Sequence, residues 1–340
     1  MPLHKIMMRL TLLGGLILLG IMLWRVGWDG LLESVQSLGI WLIPYLLLRL
    51  IPAVLHTAAW AACFPERPLP CRFWQLAFVV RAGSAINQVT PTADIGGEVA
   101  KVFLLEPFMS RERGTAAVVI DKASTTLSQM IYLALGMAYL AQQLALPTSL
   151  QWSVTLALGL IIFGVAGFVL VQRYGVLSKV VRRLAEFGHW PARVQSLQLV
   201  VDRLDAQFVT FYTQHPWRFL RSVLLHGAGH AFDIIKTYIL LRLLLGPAAP
   251  GWSGAAIVAL AVGALDQAFF FVPGRLGTLE GVRFVILSSL GVSQIYGLAF
   301  GLIARVEQLV WSGLGLAAYA YCTRFFASGS TRKMPVSSSS

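Results

Sequence analysis

Charge is scarce in this chain. Asp, Glu, Lys and Arg make up 12% of its 340 residues, against roughly 25% in soluble domains. With 57% hydrophobic residues and a mean hydropathy of +0.71, the shortage excludes an ordinary soluble enzyme. Negative charge is the scarcer sign: 15 acidic against 27 basic residues, a net charge of +12. In so apolar a chain the excess reads as basic cytoplasmic loops and attraction to anionic headgroups, not nucleic-acid binding. Cysteine is nearly absent as well. Cys63, Cys71 and Cys322 are scattered, with neither an even count nor metal-ligand spacing, which excludes a disulfide framework. A P-loop, a nucleophile elbow and a dinucleotide fingerprint are all missing. No cofactor and no metal are expected.

Long apolar runs are what the chain has in plenty. A bilayer core takes about 20 apolar residues per helix. Six stretches qualify as full spans: 7–25, 40–63, 114–142, 151–172, 217–246 and 294–322. Two more, 73–106 and 254–291, are interrupted by Pro- and Gly-rich motifs. Each is expected to be a re-entrant hairpin of two half-helices. Segment 173–215 mixes apolar and basic residues and is expected to be an amphipathic cytoplasmic linker. A single membrane domain over 1–326 is expected to end in a disordered Ser-rich tail at 327–340.

Basic residues set the orientation. With Lys5 and Arg9 in the cytoplasm, loops 64–72 and 107–113 and segment 173–205 also fall inside, and all carry Lys or Arg. Loops 143–150 and 247–253 fall outside and carry none. Arg25 is the main exception. Both termini are then cytoplasmic, and the two hairpins enter from opposite sides. The expected fold is an all-α polytopic membrane protein, about six full spans plus two re-entrant hairpins in an inverted-topology repeat.

The hairpins share a spacing. Pro91 precedes Glu98 by seven residues and Lys101 follows by three; Pro273, Glu280 and Arg283 repeat both intervals. Broken, charged backbone at membrane depth is costly unless it lines a cavity, and its duplication points to a transport site. The first hairpin also carries Arg81, Asn87 and Asp94, with Gly96 and Gly97 opening a half-helix whose free N–H groups suit an anionic headgroup. A plainer reading stands beside it: the glycines permit a turn, and Glu98 pairs with Lys101 or Arg81. The second hairpin carries Asp266 and Gly277. Flanking spans add Asp121 and Lys122, then Arg305 and Glu307; Glu98–Lys122 and Glu280–Arg305 are the candidate pairs. The fifth span bears His226, His230, Asp233 and Lys236 at spacings of four, three and three, one polar stripe. Without a second-site signature this reads as a packing face or cavity wall rather than a metal site. Arg49 and His56 give the second span a fainter stripe.

The run from Arg81 to Glu98, the segment 116–121 ending in Asp121, and the run from Phe270 to Gly281 resemble the lysylphosphatidylglycerol synthase transmembrane, or flippase-like, family. Within it the resemblance is closest to the hopanoid-cluster membrane proteins. It covers roughly residues 10–322 and implies an inner-membrane protein that moves lipids between leaflets. Asp94, Ile95 and Lys101 depart from that subgroup's pattern. The substrate would be a phospholipid-type or hopanoid lipid, and lipid-biosynthesis enzymes would be possible partners. No synthase region is seen, so an enzyme is not expected. An intramembrane transferase using Glu98 or His230 as base, and a non-catalytic scaffold of a lipid-biosynthesis complex, are the alternatives.

Overall fold

A computed structural model describes residues 38–64, 68–90, 95–143, 148–186, 192–268 and 278–329, and the single positions 17, 29, 32 and 36. The expected first span at 7–25, position 17 apart, the end of the tail and the tips of both hairpins lie outside these. Among the described residues the secondary structure is helical.

A 3-10 turn at Gly39–Trp41 leads into α1 (Leu42–Leu47) and α2 (Leu50–Ala62). The break between them has a local cause. Pro52 has no N–H to give the Leu48 carbonyl, which accepts from the Ile51 N–H at 3.2 Å instead. Arg49 sits at this kink. Next come α3 (Phe73–Val89) and α4 (Gly96–Leu105), then the long α5 (Arg111–Gln143) and α6 (Thr148–Arg173). The linker forms α7 (Val176–Glu186) and α8 (Ala192–Gln214). The second half comprises α9 (Pro216–Leu245), α10 (Trp252–Ala268), α11 (Thr278–Ser289) and α12 (Gln294–Gly329). Pro216 starts α9, where a missing N–H costs nothing, and Gly246 ends it at φ +57°.

Both expected hairpins are pairs of short helices. At 1.5 Å per residue, α4 and α11 reach only about 15 and 18 Å, short of a roughly 30 Å hydrocarbon core. Among the described residues, one stretch, Gly39–Ala62, is long and apolar enough by itself to cross a bilayer (24 residues, mean hydropathy 1.6). Helices α5 and α9 are long too, but carry polar residues along their course. The linker does more than lie on a surface: Phe208, Phe211 and Tyr212 at the end of α8 are buried in the core with Trp60 and Phe64.

The two halves run in opposite directions. Cys63 meets Ser222 and His56 meets His226, so α2 and α9 are antiparallel. Ser124 meets Ser222 while Thr125 meets His226, so α5 runs with α9. Ser312 bonds Gln88, and Phe326 packs on Trp74, so α12 runs against α3 and with α2. Equivalent elements of the halves (α2 and α9, α3 and α10, α5 and α12) thus point oppositely, as an inverted repeat requires. Each half also places its third long helix on the other half's hairpin: α12 packs on α3 and α5 on α10. Both contacts are made at a glycine. A Cβ on Gly315 would lie 2.5 Å from the Ala85 Cβ, and one on Gly136 would lie 2.1 Å from Leu260.

Two apolar cores result. One gathers Trp60, Leu76, Ile86, Leu104, Ile120 and Phe211; the other gathers Tyr45, Leu240, Val258, Leu287 and Ile303. Helices α2, α9 and α12 run between them, and each carries ionisable residues in mid-course (His56; His226, His230, Asp233 and Lys236; Arg305 and Glu307), so a polar layer lies between the cores.

Candidate functional site: a polar layer between the halves

Towards the first core the polar layer is sealed. Lys101 is 7% exposed. Its Nζ donates to Glu98 Oε2 at 2.9 Å, lies 3.8 Å from Asp121 Oδ2 and sits 5.3 Å from the Trp60 ring centre. Asp121 is held on its other side by His226, whose Nε2 is 3.0 Å from Oδ1. His226 in turn meets Thr125 Oγ1 at 2.8 Å and His56 Nδ1 at 2.7 Å. This cluster exists because α3 and α4 touch closely. A Cβ on Gly97 would stand 2.0 Å from the Gly83 carbonyl oxygen, and one on Gly83 would stand 2.8 Å from the Lys101 stem.

That closeness changes one expectation. The Gly97 N–H donates to Asn87 Oδ1 at 2.6 Å, so it is not free for an anionic headgroup. Glu98 pairs with Lys101, three residues on, rather than with Lys122, which is exposed. The rotation of α5 decides this: one residue turns the helix by about 100°, so Asp121 points inward and Lys122 out.

Towards the second core the layer opens into a cavity of about 340 Å³. Glu307 of α12 is its anchor. The carboxylate accepts hydrogen bonds from Lys236 of α9, from Tyr45 OH at 3.1 Å and from Arg49 Nη1 at 3.3 Å. Asp233, His230 and Arg283 also line the space. Both halves therefore contribute to one site. Its lining, among the described residues, includes three cations (Arg49, Lys236, Arg283) and two carboxylates (Asp233, Glu307), beside His230 and Tyr45; with the latter two neutral, one positive charge is in excess. Each paired carboxylate escapes part of the cost of an ion taken out of water.

The remaining expected residues fall as follows. Arg81 of α3 stands 5.9 Å from the Trp311 ring centre. Arg305 is 1% exposed and donates to Gln308 Oε1 at 2.7 Å. Gly96 opens α4. Gly277, Asp94 and the side chains of Asp266 and Glu280 lie outside the described residues, as does the pairing expected for Glu280 with Arg305. Tyr45, Gln88 and Gln129 line the cavity with no sequence signal beyond residue type. Arg49 had one, its two-turn spacing from His56. Gly229 was also missed. A Cβ there would stand 2.7 Å from His56 Cε1, so this glycine lets α2 and α9 bring their histidines together.

Two oppositely directed halves around a charged interior define a helical membrane protein of the internally repeated type. The family model described as the lysylphosphatidylglycerol synthase TM region matches residues 6–315, and the chain belongs to that family. Searches against curated proteins and against solved structures return no match.

Proposed function

We propose that this protein moves an amphipathic lipid between leaflets of a bacterial inner membrane, its headgroup passing through the polar cavity while its tails stay in the bilayer. One observation carries the reading: a charged cavity of about 340 Å³ lies where the halves meet, with Arg49 at the α1–α2 kink and Glu307 on α12 both lining it. Rocking of one half against the other would change which leaflet reaches it. The excess positive charge suits a monoanionic phosphodiester better than a neutral hopanoid. Within this reading the lipid is not chemically altered, and biosynthetic enzymes are partners only as suppliers of it. Lys236, Arg49 and Arg283 would hold the headgroup; Glu307 would hold Lys236 and Arg49 in place until it arrives.

The test is leaflet exchange in proteoliposomes carrying labelled phosphatidylglycerol, an aminoacylated phosphatidylglycerol or a hopanoid. Exchange above protein-free vesicles, fastest for phosphatidylglycerol and reduced at least tenfold by Lys236→Gln, is expected. Equal exchange with and without protein for every lipid would sink the reading. A chemically new lipid in the extracts would instead support the transferase, with His230 as its base: its Nε2 is buried on the cavity wall without a hydrogen-bond partner among the described residues.

A further inference from the structure

Three histidines meet where the first long helices of the two halves cross, and headgroup binding gives two of them no role. His56 comes from α2; His226 and His230 come from α9. Two ring nitrogens 2.7 Å apart, as His56 Nδ1 and His226 Nδ1 are, must share one proton. Two bare nitrogens or two N–H groups would repel at that distance. The second nitrogen of His226 is committed too, to Asp121 and Thr125.

Two protonation states fit these positions without moving a heavy atom. In one, His226 is neutral: its Nε2–H donates to Asp121, and its bare Nδ1 accepts from His56 Nδ1–H. In the other, His226 is an imidazolium donating to Asp121 and to His56, and His56 carries its own proton on Nε2. The states differ by one proton. It enters at His56 Nε2 while the shared proton crosses from His56 to His226. The neighbour on that route is His230, with ring centres 5.3 Å apart, whose own Nε2 lacks a partner among the described residues and whose side chain lines the cavity.

Among the described residues, charged and titratable groups surround the site on every side. Behind Asp121 stand Lys101 and Glu98 from α4. Arg81 from α3 and Arg49 from the α1–α2 kink act on His56. Tyr132 of α5 lies against His230, with ring centres 6.0 Å apart. The Cys63 thiol meets Ser222 nearby. On the cavity side are Tyr45 of α1, Asp233 and Lys236 of α9, Arg283 of α11 and Glu307 of α12.

We propose that His56, His226 and Asp121 form a one-proton site, loaded from the headgroup cavity through His230, that couples lipid exchange to a proton gradient. The proposal rests on the transport reading above. The site spans the halves, so a motion that separates α2 from α9 breaks the shared hydrogen bond. A charge-assisted bond in the loaded state is stronger than its neutral counterpart. Proton binding therefore favours one arrangement of the halves over the other, which is what coupling demands.

The experiment is phosphatidylglycerol exchange in proteoliposomes with and without a pH gradient of about one unit, repeated at several mean pH values. Wild-type exchange should change several-fold with the gradient, at most about tenfold, since one unit is a tenfold ratio of proton activity. His226→Gln and His230→Gln should exchange at one rate whether or not the gradient is present. Gly229→Ala keeps every titratable group but places a Cβ 2.8 Å from His56 Nε2; it too should lose the response, which a diffuse electrostatic effect would retain. Wild-type exchange indifferent to the gradient overturns the coupling and leaves the transport reading standing. Should His226→Gln fail to fold, His230→Gln at the cavity wall decides, and a full gradient response in it overturns the loading route. Absence of exchange for any lipid, at any pH, sinks both.

Discussion

The sealed cluster around Asp121 and the open cluster around Glu307 are made of the same materials. Each has a carboxylate in mid-course on the third long helix of its half, a lysine beside it, and a basic group from the other half. They differ in surroundings. Lys101 and Asp121 lie against the first apolar core, next to Trp60. Glu307 and Lys236 have side chains just as buried, yet they border a cavity that Asp233 and Arg283 also enter. Near-symmetric charge placement thus yields two jobs. A carboxylate whose charge is met entirely by protein holds helices together; one at a cavity wall is positioned to trade a protein partner for a ligand.

The comparison breaks most visibly at Lys101. Lys101→Met leaves Glu98 without its ion-pair partner and Asp121 with only its His226 contact, a loss of about 3–5 kcal/mol. Thermal unfolding in detergent should detect it, and adding Glu98→Gln should recover part of it. If Lys236→Met costs as much, the sealed and open clusters are not different in kind. Gly97→Ala comes next. Its Cβ would meet the Gly83 carbonyl at 2.0 Å, and the forced separation of α3 from α4 should cost about 1–3 kcal/mol in the same melt. Glu307→Gln is expected to cost less stability than Lys101→Met because cavity water can solvate Lys236 and Arg49, while lowering lipid exchange at least tenfold. Lys122→Ala, one residue from Asp121 but exposed, should stay within about 0.5 kcal/mol and exchange normally.

Much of this arrangement was legible in the sequence because membrane helices announce themselves. Apolar length marks a span, and Pro and Gly mark a break, so the hairpin at 73–106 appears as α3 and α4, and the span at 217–246 as α9. The opposed directions followed from where Lys and Arg fall between spans. Partner choice did not follow. Which of Asp121 and Lys122 points inward depends on the rotation of α5, and that is fixed by packing against α9 and α4, far away in sequence. His56 seemed minor because one polar residue in an apolar span has no local meaning. Its weight comes from α9 crossing at Gly229, a glycine with no turn to explain it. Tyr45 likewise joins Glu307 across 262 positions, a distance over which no periodicity speaks.

The contrast between a sealed cluster and an open cavity can be read from the reactivity of two introduced thiols. Thr237→Cys lies on the cavity lining and Ser124→Cys inside the sealed cluster beside Ser222; the native cysteines are buried, and the unsubstituted protein supplies their background. With a small hydrophilic methanethiosulfonate reagent in proteoliposomes, position 237 should react at least tenfold faster than position 124, and dihexanoyl phosphatidylglycerol should slow it. Equal rates at the two positions, or labelling at 124 alone, would contradict the account.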